Sequence, residues 1–293
     1  MKTKTAGRSG SAPSSASDLA PFLDLVRPVN GLIAAAAVFV GAFVTMRPCQ
    51  WGPAAVGAAC AFLVASAANA LNDVLDREAD AVNRPGRPIP ARSVAPGSAT
   101  RLAVVLYAAA LVLAIPLGPW GIALVASWVC LTALYSARLK AVPVAGNAVV
   151  SIVAASPFIL GGLSQSSVAP AVVPTGLAFL VHLAREAVKD AEDVEGDGRA
   201  GFRTLAVVRG PAAALGMARA AIVLAMLAAP VPYFAGYYGI GYALVVVAVE
   251  VAFGGVLYVL AKDEGPAAFG RASNGLKLVM AAGLVGFVLG VLS

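Results

Sequence analysis

Charged residues are scarce in this 293-residue chain, at 12%, where a soluble domain carries about 25%. With 60% hydrophobic residues and a mean hydropathy of +0.85, that deficit excludes a soluble globular domain and a disordered chain, and leaves an integral membrane protein. Only three cysteines occur, Cys49, Cys60 and Cys130. Their spacing matches no thiolate metal site, and two of them fall inside apolar runs, so they are read as small packing residues. The single histidine, His182, also sits in an apolar run. That excludes a histidine-based metal centre and suits helix packing or a local hydrogen bond. Aromatic residues are few, at 7%, but Trp51 and Trp120 stand at the ends of apolar runs, where interfacial anchors belong.

Long apolar runs, by contrast, are abundant. Runs of about 18 or more apolar residues mark membrane-spanning helices. Nine are predicted, at about 29–46, 53–72, 101–117, 119–136, 143–163, 168–187, 211–229, 238–260 and 274–292. The expected class is therefore all-α integral membrane, with residues 21–293 as one transmembrane domain. The Ser-, Ala- and Thr-rich residues 1–20 have no apolar core and read as a disordered tail, not a signal peptide. With nine spans, 20 of the 21 Lys and Arg residues fall on the N-terminal side, and only Arg47 falls opposite. Such a bias marks that side as cytoplasmic and puts the C-terminus outside, in a multi-pass protein of the cell membrane. The net charge of +6 suits an anionic lipid surface and an anionic substrate. Nucleic acid is not expected, because the basic loops are also rich in acid. Nothing in the chain sets an oligomeric state.

The acids are concentrated. Residues 72–80 and 186–197 hold 10 of the 15 Asp and Glu residues. Ionised carboxylates beside hydrocarbon are costly unless a cation offsets them. Asn72, Asp76 and Asp80 follow an i, i+4, i+8 spacing, and Asp193 and Asp197 repeat the i, i+4 pair with Asp190 one turn earlier. At about 100° per residue each set shares one helix face. Oxygen donors without Cys or His favour Mg²⁺ over zinc or copper, and Mg²⁺ keeps positions open for phosphate oxygens. The second span, carried on to Asp80, is expected to be a helix of about 43 Å against a hydrocarbon thickness of about 30 Å, so its last turns reach the cytoplasmic boundary. Arg84, Arg87, Lys140 and Arg203 fall at the same level and suit a diphosphate. Asp73 with Arg77, and Glu186 with Asp190 and Lys189, are read as solvated neighbours.

Asp76 and Asp193 lie 117 residues apart, each at the end of an even-numbered span and each followed by a basic Gly-containing loop. This predicts two pseudo-repeated four-helix halves plus a ninth helix, with cytoplasmic cap loops after spans two and six forming one site.

These motifs resemble the UbiA superfamily of intramembrane prenyltransferases. Asn72, Asp73, Asp76 and Asp80 match its first motif, Asn-Asp-x-x-Asp-x-x-x-Asp, and Asn83–Pro90 resembles its basic Arg-Pro segment. Tyr135 and Lys140 resemble its Tyr-x-x-x-x-Lys element. Arg185 through Asp197, followed by residues 201–205, resembles the second motif. Ala91-Arg92 stand where the family often has Ser-Gly. The opening of span one, residues 25–30, and the second motif are closest in wording to the archaeal digeranylgeranylglyceryl phosphate synthases.

The resemblance implies Mg²⁺-dependent transfer of a prenyl group, geranylgeranyl in that branch, from its diphosphate to a membrane-embedded lipophilic acceptor. That acceptor is geranylgeranylglyceryl phosphate in archaeal ether-lipid synthesis, or alternatively an aromatic such as 4-hydroxybenzoate. Asn72, Asp76, Asp80, Asp190, Asp193 and Asp197 are then the metal-binding candidates, and Asn72, Asp76, Asp80, Lys140, Asp193 and Asp197 the catalytic ones. Arg27, Asp73, Arg84, Arg87, Tyr135, Lys140, Lys189 and Arg203 are the substrate-binding candidates. Membrane lipids are the remaining partners. A cation-coupled transporter also places acids in two repeated halves, but here the acids lie at helix ends on one side.

Overall fold

The computed structural model describes residues 15–263 and 265–293, and among these every regular element is helical. In chain order the helices are α1 (Ser15–Val26), α2 (Pro28–Thr45), α3 (Trp51–Leu75), α4 (Arg77–Asn83), α5 (Pro96–Leu113), α6 (Gly118–Ala137), α7 (Ala145–Ala155), α8 (Pro157–Leu163), α9 (Ala169–Glu192), α10 (Val194–Arg199), α11 (Leu205–Arg209), α12 (Pro211–Ala228), α13 (Val231–Phe234), α14 (Ile240–Lys262) and α15 (Pro266–Leu292). Helix α1 begins inside the segment expected to be a tail, and the remainder of that segment lies outside the described residues.

Among the described residues, eight stretches are long and apolar enough to cross a membrane. Seven correspond to single expected spans. The eighth, Pro96–Ala137, is 42 residues long and holds both α5 and α6. A short 3-10 turn at Ile115–Leu117 and Gly118, at φ 73, separate the two helices. That left-handed value suits a residue without a Cβ. Tyr107 and Thr132 hydroxyls then meet at 2.8 Å. In one straight helix, residues 25 apart stand about 37 Å apart. The chain therefore folds back at Gly118, and α5 and α6 form an antiparallel hairpin.

The helices form two packed groups. In one, α3 is central, with Ala61, Val64 and Cys60 against Val38, Tyr107, Val125, Trp128 and Leu160. In the other, Val188, Leu215, Ile222, Phe253 and Leu276 join α9, α12, α14 and α15. Phe158, Tyr242 and Phe287 join the two groups at one end. Small residues let backbones approach, as membrane helix packing requires. A Cβ on Gly161 would lie 2.1 Å from the carbonyl oxygen of Val38, and one on Gly41 the same distance from that of Phe158. The span expected at 143–163 breaks at Ser156, ahead of Pro157. Proline lacks the N–H that a continuous helix needs, and the break leaves Ser156 Oγ to accept the Trp128 indole N–H at 2.6 Å.

The second span departs from expectation where it matters most. Instead of one helix to Asp80, α3 ends at Leu75 and α4 leaves in a new direction. Asp76 has ψ 5 instead of the helical value near −42°. The i→i−4 bonds continue through the bend, from Asp76 N to Asn72 O and from Asp80 N to Asp76 O, both 2.8 Å. The result is an elbow, not a helix end.

Candidate active site

The second acidic segment builds the same elbow. Helix α9 ends at Glu192, Asp193 adopts φ −93 and ψ 3 against φ −88 and ψ 5 at Asp76, and α10 departs. Each elbow thus carries one Asp at the bend and another four residues on. The two short helices α4 and α10 dock through Asn83. Its Nδ2 donates to the carbonyl of Asp193 at 2.9 Å, and its Oδ1 accepts from Gly196 N at 2.9 Å. A Cβ at Gly196 would stand 2.3 Å from Asn83 Nδ2 and 2.5 Å from Ala79 O, so only glycine permits this approach.

Every carboxylate of the two elbows except Asp190 is met by a cation. Lys140 Nζ lies between the elbows, 2.8 Å from Asp76 Oδ2 and 3.2 Å from Asp197 Oδ1. Asn72 Nδ2 also donates to Asp76 Oδ2, at 2.7 Å. Arg84 crosses from the first elbow to the second, with Nη1 at 2.7 and 2.8 Å from the two oxygens of Asp193 and Nη2 at 3.4 Å from Glu192. Arg87 pairs with Asp80 and, at 3.2 Å, with Asp73. Asp190 accepts from Asn147 Nδ2 at 3.0 Å. Burial alone would lower Lys140, but Asp76 and Asp197 carry it above the ordinary lysine value. Burial likewise opposes Arg84, and the bond and charge of Asp193 outweigh it. Burial pushes the Asp197 carboxyl up, with Lys140 pulling the other way.

These groups open onto a cavity of about 930 Å³. Asn72, Asp76, Asp80, Arg84, Arg87, Tyr135, Lys140, Lys189, Asp190, Asp193, Asp197 and Arg27 all line it, as sequence reasoning expected them to meet. Along α3 the lining runs Ala61, Ala65, Ala68, Asn72, Asp76, one face over about 22 Å. The polar groups gather at one end, and Phe158, Tyr242 and Phe287 close the other. Rings of Phe158 and Phe287 lie 6.1 Å apart, and those of Tyr242 and Phe287 5.5 Å.

Three expectations are corrected. Asp73 does not pair with Arg77, which meets Glu78 on the surface. Asp73 is 1% exposed, bonds to Arg27 and Arg87, and lies outside the main cavity lining. It ties the start of α2 to α3, helped by Asn69, which receives Arg27 Nη1 at 3.3 Å. Arg27 is buried enough that desolvation lowers its basicity despite Asp73. Glu186 is not a solvated neighbour either: it is 12% exposed and holds Arg185 and Lys189, each at 3.2 Å. Arg203 is exposed and outside the lining. Its neighbour Phe202 faces Lys140 instead, with its ring 4.5 Å from Nζ, although it too lies outside the lining. Sequence reasoning also missed Asn147 and Lys277, which carry no motif. His182 lines the cavity one turn before Glu186.

The donor set fits a hard cation in kind, since it is all oxygen. No three His, Cys, Asp or Glu side chains among the described residues converge on one point, because Lys140 already stands between Asp76 and Asp197. Yet Asp76 Oδ1 is buried and bonds to nothing among the described residues. Leaving a buried acceptor unmade costs about 1–3 kcal/mol, a cost that a bound cation at the elbow would offset.

A family model described as the UbiA prenyltransferase family matches residues 32–290. A digeranylgeranylglyceryl phosphate synthase from Methanopyrus kandleri is 38% identical over 272 residues, covering 92% of this chain and 99% of its own. One from Halobacterium salinarum is 41% identical over 228 residues, covering 76% and 82%. A solved structure described by work on digeranylgeranylglyceryl phosphate synthase in membranes superposes with a TM-score of 0.72 at 26% identity, over 94% of this chain and 99% of that one. A UbiA homolog from Archaeoglobus fulgidus, solved with GPP and Mg²⁺, shares the fold with a TM-score of 0.70 at 18% identity, over 92% of this chain and 100% of that one. The elbows, the cavity behind them and these likenesses lead to one conclusion: the chain belongs to the UbiA prenyltransferase family.

Proposed function

We propose that this prenyltransferase joins a geranylgeranyl group, taken from its diphosphate, to geranylgeranylglyceryl phosphate, forming the ether bond of a digeranylgeranylglyceryl phosphate. The observation that carries this reading is the meeting of two acidic elbows and three cations at the mouth of a deep apolar cavity. The sixteen-carbon main chain of a geranylgeranyl tail spans about 18 Å at about 1.2 Å per bond. The wall of α3 offers about 22 Å between Asp76 and Ala61, so the tail fits below the elbows. The curated relatives that match most of this chain carry the product of this reaction in their names.

Asn72, Asp76 and Asp80 from one elbow, and Asp190, Asp193 and Asp197 from the other, are the residues that would hold Mg²⁺. When bound, Mg²⁺ supplies charge stabilisation to the departing diphosphate. Lys140, Arg84 and Arg87 neutralise the remaining diphosphate oxygens. Tyr135 stands beside them in the wall. As the allylic C–O bond breaks, the positive carbon lies next to the buried carboxylates and not in water. The acceptor hydroxyl oxygen attacks that carbon, the new C–O bond forms as the hydroxyl proton passes to the departing diphosphate, and the diphosphate leaves toward the cations.

We infer nine membrane crossings, with α5 and α6 counted separately. The odd number puts the basic N-terminal side and the elbows in the cytoplasm and the C-terminus outside. Residues 21–293 then act as one transmembrane domain.

Purified protein in detergent or nanodiscs, given geranylgeranyl diphosphate, Mg²⁺ and geranylgeranylglyceryl phosphate, is expected to yield the doubly prenylated lipid. Chelation should stop the reaction and added Mg²⁺ restore it. Product with 4-hydroxybenzoate and none with the glyceryl phosphate would overturn the acceptor assignment.

A further inference from the structure

Away from the elbows, the same cavity has a second group of cations with a different chemistry. Helix α9 lines it with Leu177, Val181, Arg185 and Lys189, each four residues on. Helix α15 lines it with Ser273, Lys277, Met280 and Leu284, at spacings of four, three and four. Each wall therefore carries basic groups at one level with apolar side chains below.

Charge balance separates this group from the elbows. Lys140, Arg84 and Arg87 are each answered by carboxylates. Here one carboxylate, Glu186, serves both Arg185 and Lys189. Lys277 makes no ion pair among the described residues, and the like charges of Arg185, Lys189 and Arg27 act on it. Arg185 Nε is buried with no hydrogen-bond partner. Of the nearby acids, Glu192 is paired with Arg84, and Asp190, bonded to the neutral amide of Asn147, is one of the proposed metal-binding residues of the second elbow. Three cations against one carboxylate leave a surplus near +2. A phosphate monoester carries about −1.5 to −2 at pH 7. A half-buried cluster of like charges, with one buried guanidinium N–H unmade, is unfavourable without an anion, so the surplus is explained by a ligand that brings one.

We propose that Arg185, Lys189 and Lys277 form a second anion subsite that holds the phosphate of the acceptor lipid directly, without a metal, while Val181, Met280 and Leu284 take its first chain carbons. This rests on the proposed reaction and deepens it. The elbows, acidic overall, take the donor diphosphate; the cationic wall between α9 and α15 takes the acceptor. An acceptor without a phosphate leaves the surplus charge unanswered, so the subsite selects phosphorylated lipids over their alcohols.

The test uses the full chain with Lys277→Gln, Arg185→Gln and Lys277→Arg. For the two glutamine variants the KM for geranylgeranylglyceryl phosphate should rise about 10- to 100-fold, the effect of losing a charged hydrogen bond. The KM for geranylgeranyl diphosphate should stay at the wild-type value, and Lys277→Arg should recover most of the loss. An equal rise in both KM values, or no rise in either, would overturn the proposal. A binding measurement without donor separates it from the reaction itself. Wild-type protein in micelles should bind the glyceryl phosphate lipid more tightly than the dephosphorylated alcohol, and Lys277→Gln should erase the preference. A Lys277-dependent preference without turnover would sink the reaction and keep the subsite. Turnover with a preference indifferent to both substitutions would sink the subsite and keep the reaction.

Discussion

The two acidic elbows have nearly the same backbone and quite different surroundings. Asp76 and Asp193 differ by only a few degrees in φ and ψ. The Asp76 side chain, however, is 6% exposed and meets Lys140 through Oδ2 alone, whereas Arg84 Nη1 lies within 2.8 Å of both oxygens of Asp193, whose side chain is 14% exposed. The loop after the first elbow folds over the site and delivers Arg84 and Arg87. The loop after the second leaves Arg203 outside and turns an aromatic ring toward Lys140. Repetition of a motif thus supplies matching carboxylates, while the cations come from one half and from Lys140. The lesson is that two matching bends need not make a symmetric site: both are charge-paired, the first by Lys140 through one oxygen of Asp76 and the second by Arg84 across both oxygens of Asp193.

That asymmetry can be broken by substitution. The largest effect is expected for Asp76→Ala, which should lower turnover with saturating Mg²⁺ by about 10³-fold, the upper range for removing one preorganised electrostatic group. Asp193→Ala should cost less, because Arg84 is then freed toward the diphosphate; equal losses would show that the elbows are equivalent. Next is Gly196→Ala, whose Cβ forces α4 and α10 apart. A displacement near 1 Å costs about 10²-fold, and turnover should fall accordingly while the purified protein remains monodisperse. Arg84→Ala should raise the donor KM about 10-fold or more, the value of a charged hydrogen bond, while Arg203→Ala should leave it unchanged. A large effect of Arg203 would mean that the second loop also closes over the substrate. The smallest effect belongs to Phe202→Leu, which removes a cation–π contact of about 0.5–2 kcal/mol. It should raise the donor KM by a few-fold with kcat nearly preserved.

Much of this was legible in the chain. Apolar run length reported the spans, because a bilayer has a set thickness. The i, i+4 spacings of Asp76 and Asp80, and of Asp193 and Asp197, reported which carboxylates share a face, because helical periodicity is local. The hairpin between α5 and α6 was readable from Gly118 and the flanking prolines. The elbows were not, since a change of ψ at one aspartate leaves the i→i−4 bonding and the composition untouched. Asp73 was misplaced for a related reason: Arg77, one turn on, looked like its partner, but the bend at Asp76 falls between them, Arg77 meets Glu78 at the surface, and Arg27, 46 residues away, meets Asp73 instead. Lys277 and Asn147 were invisible because a lone polar residue in an apolar run has no pattern.

By itself, then, the amino-acid sequence determined that this protein lives in a membrane and that its acids lie at one level in two repeated segments. It also determined that their donors are oxygen, because each of these properties depends on neighbours within a few helical turns. Tertiary structure alone decided which cation answers which carboxylate, that Phe202 and not Arg203 faces Lys140, and that Lys277 and Arg185 line one cavity. Those pairings join residues tens to more than a hundred positions apart. They depend on the directions in which packed helices aim their side chains, which local periodicity does not record.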